Sequence, residues 1–197
     1  MKIDNIKVNG FGKLEDREIK LSDNINLIYG KNESGKTTLL KFIPGMFFGV
    51  SKNKNGKDIS DYDKYLPWGT DEFSGSLTYT LDSNEEFEIF REFKKKNPII
   101  YNGRKEDITK EFSVSKTKGS EFFFEQTGID ETLWENTSLI QQGGSLLDAK
   151  SQDVLTEKIS NLLTTGDDNT SYKESINKLN KKLLDEVGTD RTSRKTT

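Results

Sequence analysis

Eight residues constrain this chain more than any others. Gly30-Lys31-Asn32-Glu33-Ser34-Gly35-Lys36-Thr37 satisfies the spacing G-x-x-x-x-G-K-[ST], and each residue type has a physical task there. Gly30 and Gly35 allow backbone conformations that turn successive N–H groups inward and form a nest for an anion. A helix opening at Gly35–Lys36 adds unpaired amides and the positive end of its dipole. Lys36 can bring a full charge to the β- and γ-phosphates of a nucleotide, and the Thr37 hydroxyl can complete the shell of a Mg2+ ion. The expected ligands are therefore ATP and Mg2+. The binding residues are Gly30, Asn32, Glu33, Ser34, Gly35, Lys36, Thr37 and Thr38, with Lys36 also acting on the reacting phosphate and Thr37 on the metal. The residues that touch the base are not legible.

The flanks suit that chemistry. Asn24–Tyr29, with Ile25, Leu27, Ile28 and Tyr29, reads as a buried strand. Lys36–Phe47 places Leu39, Leu40, Phe42, Ile43, Met46 and Phe47 at helical spacing, buried on most sides. Pro44 falls inside that helix and removes one hydrogen bond, so a bend is expected near Ile43.

Upstream, Lys2–Val8 and Glu15–Leu21 predict a hairpin around a turn at Gly10–Gly12. Ser51–Lys64 reads as a polar loop. Phe73–Tyr79, Glu86–Phe93 and Ile99–Tyr101, with turns at Asp82–Asn84 and Asn102–Gly103, predict an antiparallel meander within about 66–112. Leu77–Asp82 ends in an aspartate, but its alternation is that of a half-exposed strand and not of a buried metal-binding one. The pattern then turns helical. Glu121–Thr127 ends at Gly128, Asp130 caps a helix through Trp134, and Gln152–Leu163 follows. Tyr172–Val187 sets Ile176, Leu179, Leu183 and Val187 on one narrow stripe, which suits a coiled coil or a helical hairpin. Asp190–Thr197 is a polar tail. The expected division is an amino-terminal lobe over 1–165 and the start of a coiled-coil helix over 166–197.

Composition narrows the chemistry. The 197 residues include no cysteine and no histidine. Thiolate chemistry, disulfides and the commonest general base are thereby excluded. A net charge of −3 gives no global attraction to nucleic acid or acidic membranes. The longest apolar run, Phe42–Val50, is broken by Pro44, Gly45 and Gly49 and is too short to span a bilayer. A cytoplasmic protein without membrane contact is the expectation. Lys94-Lys95-Lys96 and Lys52, Lys54 and Lys57 read as solvated loop charge, and Phe122-Phe123-Phe124 as core. Arg91 is read either as a strand-surface ion pair or as a nucleotide sensor.

Beyond the loop, the surroundings resemble a known family. Gly10-Phe11-Gly12 precedes Leu27-Ile28-Tyr29-Gly30-Lys31-Asn32-Glu33-Ser34-Gly35-Lys36-Thr37-Thr38-Leu39. Then come Tyr65-Leu66-Pro67-Trp68, Phe73-Ser74-Gly75, Phe87-Glu88-Ile89 and Arg91. Thr127-Gly128-Ile129-Asp130, Leu139-Ile140-Gln141-Gln142-Gly143 and Val187-Gly188-Thr189-Asp190-Arg191 complete the series. This order resembles the amino-terminal head segment of SMC-like repair ATPases of the SbcC type, particularly their YhaN-like bacterial relatives.

The resemblance implies an α/β fold: the amino-terminal lobe of an ABC-type P-loop NTPase head, with a strand–loop–helix core, a β-meander and carboxy-terminal helices leading into a coiled coil. It also implies that a glutamine, Gln142 in preference to Gln141, reaches the Mg2+ and the attacking water. The family's signature Ser-Gly-Gly loop and its strand ending in Asp-Glu are not found in this sequence, and Gly12 stands where the family often has arginine, with Lys13 beside it. Hydrolysis is accordingly expected to need a carboxy-terminal half of the same ATPase. The implied partners are that half, a second head joined through ATP, a nuclease subunit of metallophosphoesterase type, and DNA. The competing expectations are another P-loop enzyme such as a kinase, and an SMC-type structural ATPase without a nuclease.

Overall fold

A computed structural model describes residues 1–52, 59–115 and 119–139, with Thr156, Leu179 and Lys182. The chain divides into two compact units, Met1–Glu131 and Thr132–Thr197.

The first unit is organised by alternation along five strands. β1 (Lys2–Phe11), β2 (Leu14–Lys20), β3 (Ser74–Thr80), β4 (Glu86–Glu92) and β5 (Ile99–Asn102) form one antiparallel sheet in the order β2-β1-β3-β4-β5. Side chains two apart on a strand share a face, so the register decides which residues meet. Ile6 pairs with Leu77, Leu77 with Ile89 and Ile89 with Ile100, giving one buried apolar row across four strands. In the next row Val8, Gly75 and Arg91 lie side by side.

That second row receives the helix α1 (Lys36–Phe48). A Cβ on Gly75 would lie 2.5 Å from Phe42 Cζ and 2.6 Å from the Lys7 carbonyl oxygen. The ring occupies the space a side chain would need. Gly75→Ala is therefore expected to cost about 2 kcal/mol by overpacking against backbone. Gly103→Ala, where the added methyl would meet Glu86 at an ordinary 3.6 Å, is expected to leave the urea midpoint nearly unmoved.

Phe11 closes the core at the end of β1. Its ring stacks on Tyr65 at 4.9 Å and meets Phe42 edge-on at 5.3 Å and Phe93 at 5.0 Å. At the far end of α1, Phe47 packs against Phe123 at 4.2 Å and Tyr79 at 5.6 Å. Phe123 lies on α3 (Phe122–Thr127), which ends at Gly128 in the left-handed region, its N–H donating to Phe124 O. Phe122 and Phe123 are core, whereas Phe124 is partly exposed.

The hairpin and the meander fall where the sequence predicts them. The helix runs without interruption through Pro44, whose ring is buried, up to Phe48. Two expectations need correcting. Ser51–Lys64 is not all loop: α2 (Asp61–Lys64) forms because the Ser60 side chain caps it by accepting from Asp63 N. More consequentially, Asn24–Tyr29 is neither a strand nor buried, with Ile25 94%, Leu27 88% and Tyr29 91% exposed. The segment is apolar enough for burial, but no described strand lies beside it to take up its backbone hydrogen bonds.

The last element, α4 (Glu131–Thr137), starts at the final residue of the first unit, and the rest of it is the chief described part of the second. The predicted helix Gln152–Leu163, the stripe Tyr172–Val187 and the boundary at 165/166 lie outside the described residues, apart from Thr156, Leu179 and Lys182. No described helix is long and apolar enough to cross a membrane.

Candidate functional site

From Lys31 the chain turns sharply and enters α1 at Lys36. Ser34 N donates to Lys31 O at 3.2 Å, and Gly30 is tight enough that a Cβ would meet Ser34 Oγ at 2.6 Å. Glu33 (φ 64°) and Gly35 (φ 95°) both adopt positive φ, the alternation that points neighbouring amides into one concavity. Glu33 lacks glycine's freedom, so its conformation costs of order 1 kcal/mol and persists because the surroundings impose it.

The first helical hydrogen bond from the cap runs from Leu39 N to Gly35 O, which leaves the amides of Lys36, Thr37 and Thr38 without helical acceptors. They sit at the positive end of a thirteen-residue helix whose first turn carries no acidic side chain. Lys36 Nζ donates to Gly30 O at 2.7 Å and Lys31 O at 2.8 Å. An ammonium has three protons, so the loop's own carbonyls orient the charge and leave one donor for a ligand. Thr37 is exposed on the opening turn.

The hairpin turn braces the loop from below. Lys13 Nζ donates to Glu33 O at 2.6 Å, holding the strained residue from its carbonyl side. A Cβ on Gly35 would come 2.7 Å from Leu14 Cδ2, and one on Gly12 3.0 Å from Thr38 Cγ2. Gly12 itself takes φ 56° and donates its N–H to Tyr65 O at 2.7 Å. Lys13, beside the position where the family often has arginine, serves the loop's main chain. Leu14 carried no sequence signal for this role beyond its nearness to the turn, and Tyr65, far along the chain, carried none for packing there.

The expected binding residues Gly30, Asn32, Glu33, Ser34, Gly35, Lys36, Thr37 and Thr38 lie on one tight turn and the first turn of the helix that follows it. The donor set, amides with one ammonium and a hydroxyl, fits a polyphosphate with a divalent cation. Gln141 and Gln142 lie outside the described residues.

Other expectations resolve away from the loop. Asp82 pairs with the amino-terminal ammonium, at the opposite end of β1 from the Gly12 turn. Lys94 donates to Asp71 O, Lys95 pairs with Glu92, and Lys96 donates to Ser115 O. Arg91 is neither a surface ion pair nor at the loop. It is buried, with its guanidinium on the last carbonyls of α1.

Comparison with known proteins adds the following. The family described as AAA ATPase domain matches residues 1–196. The Septu protein PtuA of Bacillus thuringiensis is 28% identical over 128 residues, which is 65% of this chain and 30% of that protein. An uncharacterized protein, YhaN, of Bacillus subtilis (strain 168) is 38% identical over 55 residues, 27% of this chain and 6% of that protein. The chain thus spans less than a third of the length of either relative. A solved structure concerned with ATP-driven dimerization and DNA-stimulated activation of SMC ATPases superposes with a TM-score of 0.49 at 13% identity, covering 79% of this chain and 98% of that one.

Proposed function

Since the chain belongs to the AAA ATPase domain family, we propose that it is the ATP-binding amino-terminal half of an SMC/SbcC-like ATPase head, which gates DNA repair or DNA end processing. The observation that carries the reading is the loop itself. Positive φ at Glu33 and Gly35 precedes a helix beginning at Lys36, whose ammonium is held by the loop carbonyls of Gly30 and Lys31.

In this reading the amides of Lys36, Thr37 and Thr38 bind phosphate oxygens, and Lys36 neutralises charge on the β- and γ-phosphates. Thr37 holds Mg2+, which when bound supplies further charge neutralisation. Gln142 positions the attacking water. These groups bind and orient, whereas the acidic residues that complete the metal site come from a carboxy-terminal half.

A second feature supports that division. The exposed run Ile25–Tyr29 adjoins a groove of about 270 Å3 lined by Ile28, Lys36, Thr37, Leu39, Leu40 and Ile43. Apolar surface contiguous with a phosphate site is surface meant to be covered, and a carboxy-terminal half of the ATPase is its occupant in this proposal. A second head then closes over the nucleotide, and a nuclease subunit of metallophosphoesterase type and DNA are the further partners.

Turnover tests the proposal. The chain alone is expected to bind Mg-ATP but to hydrolyse it slowly or not at all, and addition of the carboxy-terminal half should restore hydrolysis. In the restored head Gln142→Ala should keep nucleotide affinity and lose roughly a hundredfold in rate, because a misplaced water forfeits that much. Full-rate hydrolysis by the isolated chain would refute the split head, and unchanged turnover in Gln142→Ala would remove that glutamine from the mechanism. ATP-independent cleavage of DNA ends by the assembled complex would defeat the gating role.

A further inference from the structure

A nucleotide hangs its base from the phosphates by one ribose, so the base must come to rest on whatever borders the loop. One border is built by a segment that the phosphate chemistry does not use. Tyr65–Gly69 is fastened at both ends to the hairpin turn that braces the loop. Gly12 N donates to Tyr65 O at 2.7 Å, and Gly69 N donates to Glu15 Oε1 at 2.9 Å. The same turn touches the loop through Lys13 on Glu33 O and through Leu14 beside Gly35. One short stretch, Gly12–Glu15, therefore ties the two together.

Between the fastenings stands Trp68, 78% exposed. Its backbone is unusually constrained for so exposed a ring. Tyr65 is buried and stacked on Phe11 with planes 14° apart. Pro67 fixes its own φ and restricts Leu66. Gly69 lies close under the Glu15 carboxylate, to which its N–H donates at 2.9 Å, and a Cβ there would fall 2.6 Å from one of the carboxylate oxygens. A large exposed apolar face on a segment tied through Gly12–Glu15 to the phosphate loop matches the flat, apolar face of a nucleobase.

We propose that Trp68 is the base-stacking residue of this nucleotide site and takes the purine of a nucleoside triphosphate on its exposed ring. The inference rests on the phosphate-loop reading above. Stacking uses the π-face that every base has and does not read hydrogen-bonding edges. The site is therefore tolerant, and ATP and GTP gain comparably from the ring. Tyr29, also exposed and next to Gly30, is the rival ring. It continues the apolar run Ile25–Ile28, which the proposed carboxy-terminal half covers.

Calorimetric titrations with Mg-ATP, Mg-GTP and inorganic triphosphate test this on the full chain. Truncating a stacked aromatic ring lowers affinity by about five- to a hundredfold. Trp68→Ala should lose about tenfold for both nucleotides, keep its affinity for inorganic triphosphate, and melt like the wild type, since the ring is exposed. Trp68→Phe should recover most of the loss. In a Trp134→Phe background, which leaves Trp68 as the only one of the two tryptophans, nucleotide should quench the fluorescence and inorganic triphosphate should not. Wild-type nucleotide affinity in Trp68→Ala overturns the proposal. So does an equal loss for inorganic triphosphate, or a base-dependent loss found in Tyr29→Ala instead. Lys36→Ala separates the two failures: it should weaken all three ligands, and if it weakens none the phosphate-loop reading has failed, not the placement of the base.

Discussion

Lys36→Ala is expected to lower the affinity for Mg-ATP about a hundredfold while leaving the melting temperature of the ligand-free chain unchanged. The two halves of that expectation come from the same geometry. Nζ lies 2.7 Å from Gly30 O and 2.8 Å from Lys31 O, at an exposed position where water can take over both acceptors. Removing the side chain therefore strands no buried group, and folding should not register it. The nucleotide does register it. A charge-assisted hydrogen bond to phosphate is roughly twice as strong as a neutral one, and here the ammonium is oriented before the ligand arrives.

Lys36→Arg separates charge from fit. A planar guanidinium cannot occupy the point between two carbonyls that an ammonium fills, so the charge-conserving variant should also bind poorly. The rise in melting temperature produced by saturating Mg-ATP should disappear in both variants, because ligand-induced stabilisation follows the ratio of concentration to Kd. Wild-type binding by Lys36→Ala would remove the loop from the site altogether.

What the sequence made legible, and what it did not, follows from the range of each signal. The phosphate loop is local: glycine, lysine and threonine at fixed spacing determine a turn, a helix start and a charge with little outside help. The hairpin and the meander are also legible, because strand alternation and short turns such as Asp82–Asn84 encode pairing between neighbours in sequence.

Asn24–Tyr29 shows the limit. Its apolar residues report a segment suited to burial, and periodicity does not say which surface does the burying. In the described residues none does, and Ile25, Leu27 and Tyr29 face solvent. If the head is split as proposed, the pattern is right and the covering strands belong elsewhere. Trp68 fails for a different reason. Nothing in Tyr65–Gly69 signals proximity to Gly30–Thr37, which lies about thirty residues earlier; the connection runs through hydrogen bonds from Gly12 and to Glu15.

Arg91 was the least legible residue, and it carries the largest expected effect on folding. A lone arginine in a strand reads as a surface ion pair, because charges are rarely buried without a partner. Here the partners are main-chain carbonyls. Nε donates to Met46 O at 2.9 Å, Nη2 to Phe47 O at 3.3 Å and Nη1 to Lys96 O at 3.3 Å. Met46 and Phe47 lie in the last turn of α1, where carbonyls have no helical donors and the dipole presents its negative end. No basic residue occupies that turn, so β4 supplies the cation from across the interface.

Burial pushes the Arg91 guanidinium down to about 10, yet it stays protonated at neutral pH. Desolvating that charge without a carboxylate is unfavourable in itself, and its removal returns part of that energy. Arg91→Met nevertheless leaves two helix-end carbonyls buried without donors and an uncompensated dipole, for a net loss of about 3–4 kcal/mol. Arg91→Lys keeps the charge but cannot span the same carbonyls with one nitrogen, so its loss should be intermediate. Urea denaturation of both variants measures this. Because Lys36 and Thr37 are at the other end of the same helix, Mg-ATP affinity of the folded Arg91→Lys variant should fall far less than in Lys36→Ala. If Arg91→Met proves as stable as the wild type, the end of α1 is held by its aromatic contacts alone and the guanidinium is incidental to the fold.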